Sequence, residues 1–152
     1  MESLESHIRK HPFWGGLDPQ YFPLLIEGAR WVRFEAGEVI ANAGEPAADF
    51  FLLLRGSVEI QNMATDGPVT VQTIGPEEAL GWAWLFPPFT WHSTIRAVEQ
   101  TDAIGWGTAD LRKKAAANPA FGYDLACRLS RILHQRLNAT YDQLVALTDS
   151  EN

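Results

Sequence analysis

The sequence predicts a mainly β fold with flanking helices: a small barrel or jelly roll (a double-stranded β-helix), preceded by short N-terminal helices and followed by one long C-terminal helix. Three observations predict it. Short runs of period-two alternation recur between Arg30 and Trp106. Glycine turns punctuate them at Gly37, Gly44, Gly56, Gly67 and Gly75. Beyond Asn118-Pro119 the apolar period lengthens to steps of three and four and stays there for about seven turns. Many short strands separated by glycine turns are the usual material of small antiparallel barrels.

Taken in order, Ser3 offers an N-cap to a first helix over residues 3–10, with Leu4 and Ile8 on one face. His11 to Leu17 breaks it with Pro12, Gly15 and Gly16. Asp18-Pro19 then caps a second helix running to about Gly28, Phe22, Leu25 and Ile26 inward. Alternation over 30–36 predicts a strand, and Val39-Ile40-Ala41 another. Phe50 to Leu54 is continuously apolar, as for a strand buried on both faces. Ser57 to Gln61 alternates, Thr65-Asp66-Gly67-Pro68 turns, and Val69 to Ile74 returns. Ser93–Val98 and Thr101–Trp106 complete the strands. Thr108-Ala109-Asp110 caps a short helix through Lys114, and Asn118-Pro119 caps the long one to about Leu147. The expected organisation is 1–29 for the helical lead-in, 30–107 for the barrel and 108–152 for the C-terminal helices.

Apolar residues make up 46 % and charged residues 20 % of 152, the balance of one globular domain. The net charge of −7 argues against a nucleic-acid surface, which needs clustered Lys and Arg. The one cysteine, Cys127, excludes an intrachain disulfide and fits a reducing, cytoplasmic compartment. No apolar run approaches the roughly 20 residues of a membrane span, and no signal peptide is expected. On the long helix Leu125, Leu129, Ile132, Leu133, Leu137 and Leu144 share one apolar face, longer than a small barrel can cover. The expected cover is the same helix of a second copy, making a homodimer.

The chemistry concentrates between Gly81 and Ala97, with three of the six tryptophans, two phenylalanines and a Pro-Pro pair. Gly81, Trp82, Ala83, Trp84, Trp91, His92, Ser93 and Thr94 are the candidate ligand-binding residues. Two arrangements stay open. The indoles either line a pocket for a small apolar or aromatic ligand, or fill the space themselves. From Gly56 to Ile95 there is no Lys or Arg, whereas Glu59, Asp66, Glu77 and Glu78 fall within that span. An anionic ligand would lack a counter-charge there. His92 has no second His or Cys near it in sequence, so neither a metal nor another cofactor is expected. Cys127 is expected buried, Arg112-Lys113-Lys114 to complement a helix dipole, and Arg128, Arg131 and Arg136 to lie on a solvated face or pair with acids such as Asp124. No Ser-His-Asp, Cys-His, paired-carboxylate or phosphate-loop pattern is present, so no enzyme activity is expected.

Four segments in order carry a family resemblance. Phe13-Trp14-Gly15-Gly16-Leu17, Phe34-Glu35-Ala36-Gly37-Glu38-Val39-Ile40 with Gly44, Phe50 to Glu59, and Gly81 to Ala97 together resemble the cyclic nucleotide-binding domain family. The resemblance implies a jelly-roll barrel, a phosphate-binding cassette and, as in the catabolite-activator type, a dimer helix after the barrel, with no room for a helix-turn-helix before Asn152. It also implies that a glutamate should read the ribose and an arginine the cyclic phosphate. Gly81, Leu85 and Ile95-Arg96-Ala97 match the cassette, but the glutamate position is Trp82 and the arginine position is Trp91. The resemblance thus implies a regulatory or sensor module that does not bind cyclic AMP or cyclic GMP but takes a small apolar or aromatic ligand or a partner protein, or else a structural or protein-interaction dimer with its pocket plugged by tryptophan.

Overall fold

The computed structural model describes residues 2–150; Met1 and the end of the predicted third segment, 151–152, lie outside the described residues. Helix α1 spans Leu4–Lys10, and the Ser3 hydroxyl accepts from the Ser6 N–H as expected of its cap. Asp18 caps a single 3-10 turn, Pro19–Tyr21, before α2 (Phe22–Gly28) begins. Strands follow as β1 (Arg30–Phe34), β2 (Val39–Ala41), β3 (Asp49–Arg55), β4 (Val58–Ala64), β5 (Gly67–Ile74), β6 (Ala79–Leu80), β7 (Thr94–Ala97) and β8 (Thr101–Gly107). Helices α3 (Thr108–Ala117) and α4 (Pro119–Ser150) close the described chain. Strand β6 has no counterpart in the sequence reading; two residues are too few to show a period.

All strand pairs are antiparallel, in two four-stranded sheets of order β1-β8-β3-β6 and β2-β7-β4-β5. This is the jelly roll. On the two faces of β3, Phe50, Leu52 and Leu53 lose all contact with solvent, as the unbroken apolar run requires. The lead-in helices are tied to the same core. The Trp106 indole N–H donates to the Leu25 carbonyl at 2.8 Å, and the Lys114 ammonium to the Leu24 carbonyl at 2.7 Å.

Three expectations are corrected here. Thr108 does not cap α3: its hydroxyl donates to the Ala47 carbonyl at 2.7 Å, a contact from the start of α3 to the segment before β3 that replaces the local one. Cys127 is exposed, because it lies beside rather than on the inward stripe of α4. That stripe is also divided. Leu125, Leu129 and Ile132 are buried against their own barrel, whereas Leu133 is half-buried and Leu137, Tyr141, Leu144 and Leu147 face solvent. Arg128 pairs with Asp124 as expected (Nε–Oδ2 2.6 Å), yet it is buried, donating from Nη1 to the carbonyls of Phe13 and Gly15.

Candidate functional site

The aromatic stretch leaves the first sheet at β6, where Leu80 pairs with Phe51, and enters the second sheet at β7. Gly81 turns the chain at φ +103°, a conformation that strains any L side chain. Residues Ala83–Leu85 make one 3-10 turn. The far end of the loop is held from both sides. The Arg112 guanidinium of α3 donates to the Trp84 carbonyl at 2.9 Å and lies 4.5 Å from the centre of the Phe89 ring. Across the loop, the Trp91 N–H donates to the Glu45 carbonyl at 2.9 Å and its carbonyl accepts from the Gly44 N–H at 2.8 Å.

The three indoles of the loop take separate places. Trp84 enters the barrel core, its ring 5.8 Å from that of Phe50, with Nε1 buried and unpartnered. Trp91 turns inward over Gly81 and is only 8 % exposed. Trp82 is half-buried and stacks on exposed His92, ring centres 5.0 Å apart and planes inclined by 20°.

Beneath the Trp82–His92 pair a cavity of about 50 Å³ separates the barrel from α4. Gly81, Trp82, Ala83, Trp91, His92 and Ser93 line its loop side, Ile60, Ile74, Leu80 and Ile95 its barrel side, and Ile132 and Arg136 its helix side. Six of the eight predicted residues are therefore brought together. Trp84 is not among them, because the 3-10 turn rotates it into the core. Nor is Thr94, whose hydroxyl accepts the Ala43 N–H at 3.3 Å. Among the described residues no group of three or more His, Cys, Asp or Glu is placed to hold a metal ion, and no helix is long and apolar enough to cross a membrane.

Arg136 is the lining residue that the sequence reading placed elsewhere. It follows Leu125, Leu129 and Ile132 at steps of four, three and four, so it occupies an inward position of α4. That interruption of an apolar stripe by a charge was the available signal. Arg136 is half-buried, and its Nη2 has only a 3.5 Å contact with the Ala79 carbonyl. Among the described residues no carboxylate comes within 4.0 Å of its guanidinium. Glu78 is the nearest influence of opposite sign, but its carboxylate accepts the Gly75 N–H at 2.6 Å. Burial pushes the Arg136 pKa below its ordinary value, with Glu78 opposing. The expectation of a cassette region without a cation is thus corrected: the cation comes from α4, not from the loop. The same part of α4 is fastened to β5, where the Gln72 amide donates to the Arg136 carbonyl at 3.1 Å and the Gln143 amide to the Val71 carbonyl.

The profile of the cyclic nucleotide-binding domain family matches residues 31–118, more than half of the chain. The chain belongs to that family. Acetyltransferase Pat of Mycolicibacterium smegmatis is 32 % identical over 128 residues, 84 % of this chain; the chain spans 37 % of that protein's length. Among solved structures, a cyclic nucleotide-binding domain from Methylobacillus flagellatus superposes with a TM-score of 0.78 at 18 % identity, covering 93 % of this chain and 80 % of that one. The sensor domain of the transcriptional regulator DNR from Pseudomonas aeruginosa gives 0.69 at 20 %, covering 88 % and 91 %. At these identities the superpositions establish the shared family fold.

Proposed function

We propose that this chain is a non-enzymatic, cytoplasmic regulatory module that does not bind cyclic AMP or cyclic GMP, and that it works as a homodimer through α4. The observation that carries the reading is Trp91, a nearly buried indole at the position where the family pattern has the phosphate-reading arginine. Space argues the same way. A cavity of about 50 Å³ is far below the roughly 300–1,000 Å³ of sites for drug-sized ligands.

The dimer rests on the outer half of α4. Leu137, Tyr141, Leu144 and Leu147 recur at steps of three and four and are 48–64 % exposed, a stripe suited to the same helix of a second copy. Because Ile132 and Arg136 wall the cavity on the helix that carries this stripe, a ligand that reshaped the cavity would shift the pairing of the helices. The one cysteine supports the compartment. A second reading, a purely structural dimer with a plugged pocket, is favoured by the burial of Trp91 alone.

Calorimetric titration with cyclic AMP and cyclic GMP tests the reading, with no saturable heat expected. Micromolar binding of either overturns it. Light scattering after size exclusion is expected to give twice the chain mass, and a monomer at all concentrations overturns the dimer.

A further inference from the structure

Arg136 poses a problem that the cyclic-nucleotide reading leaves unsolved. A guanidinium carries five N–H donors. In proteins a partly buried one is ordinarily paired, because an unpaired buried charge is costly. Arg128, one face of the same helix away, obeys this rule through Asp124 and two carbonyls. Arg136 does not: its side chain has one long contact, to the Ala79 carbonyl, and among the described residues no carboxylate within 4.0 Å. It also borders a cavity whose barrel wall is apolar, formed by Ile60, Ile74, Leu80 and Ile95, with His92 and Ser93 the other polar side chains of the lining. An apolar chamber with one under-used cation on its wall is complementary to a small molecule with one anionic end and one apolar end.

Size narrows the class. One water needs roughly 10–15 Å³ of such volume, so about 50 Å³ seats on the order of four or five heavy atoms. We infer that the cavity beneath Trp82 and His92 is a site for a short-chain carboxylate of acetate or propionate size, its carboxylate paired with Arg136 and its alkyl end against the isoleucines. The Trp82–His92 stack is the cover, His92 being the exposed residue of the cavity lining. The inference rests on the sensor reading above and supplies the chemical class of its ligand. With so few atoms the affinity is expected to be of the order of millimolar.

The test is a tryptophan-fluorescence and calorimetric titration of the full chain with sodium acetate and sodium propionate, chloride keeping ionic strength constant. Acetamide and propionamide serve as neutral isosteres. Saturable binding of the acids is expected, with the amides roughly tenfold or more weaker. Arg136→Gln should abolish the preference for the acid, Arg136→Lys should keep part of it, and Arg131→Gln on the exposed face should change nothing. Arg136→Gln is expected to melt at or above the parent temperature, since it removes an unpaired charge. A low melting temperature for it would leave Arg136→Lys and the acid-to-amide ratio of the parent as the deciding measurements. Equal binding of acid and amide, or no saturable response to either acid, overturns this inference while leaving the sensor reading in place. Saturation by cyclic AMP in parallel overturns the sensor reading, and if Arg136→Gln abolishes that saturation it overturns this inference too.

Discussion

The indole of Trp91 crosses Gly81 so closely that a Cβ on residue 81 would stand 3.1 Å from its Cη2. The inward tryptophan and the positive-φ glycine are therefore one structural unit. Trp91→Ala is expected to destabilise the chain by about 3–5 kcal/mol, the usual cost of emptying a buried indole site. Gly81→Ala should cost about 1–3 kcal/mol through backbone strain and the crowded ring. Urea unfolding of both variants checks this; a Trp91→Ala midpoint equal to the parent's would show that the indole does not support the fold.

Arg112 holds the loop from α3 by one hydrogen bond and one ring contact. Arg112→Ala should faster expose residues 84–89 to hydrogen exchange, with a stability loss of about 1–2 kcal/mol. Unchanged exchange there would remove Arg112 from any role in ordering the loop.

His11 gives the fold a pH dependence of known sign. The ring is buried, with Nδ1 accepting the Phe13 N–H at 3.2 Å and Nε2 3.1 Å from the Leu53 carbonyl, which assigns the neutral tautomer protonated on Nε2. Burial pushes its pKa below the ordinary 6.5, and the Leu53 carbonyl and Glu77 oppose this only in part. The unfolded chain then binds the proton more readily. The contribution to stability is complete above 6.5 and is lost as pH falls from there toward the folded-state value. Urea midpoints at about pH 7.5 and 5.5 should differ less in His11→Asn than in the parent.

The two halves of α4 should respond differently to substitution. Leu129→Ala, facing the barrel, is expected to cost about 2–5 kcal/mol in folding stability. Leu137→Asp with Leu144→Asp should leave folding nearly intact at low concentration and convert dimer to monomer by light scattering. Loss of the fold in the second variant would mean that the outer stripe belongs to the chain's own core.

The jelly roll was legible because its strands carry a period of two and its turns carry glycine, both local signals. The loop was legible as a site because aromatic density is local too: Trp82, Trp91, His92 and Ser93 meet around one cavity. The fate of each indole was not. Trp84 and Trp82 lie two residues apart, and only the 3-10 turn between β6 and β7 sends one to the core and leaves the other on the cavity wall. Arg136 was missed for a different reason. It reaches the cavity from a helix far along the chain, and helical spacing shows which face a residue occupies without showing what that face meets. Arg112 likewise reads as a dipole-complementing charge until the loop carbonyl in front of it is placed.

The amide ties from Gln72 and Gln143 fasten α4 to β5 of the second sheet. From Arg136 to the described end of the helix at Ser150 is about 21 Å at 1.5 Å per residue, so a tilt of about 10° at the arginine displaces the tip by about 4 Å. If the proposed site is occupied, an event involving a handful of atoms under the indoles would be read out as a lateral displacement close to the width of a side chain at the remote end of the helix.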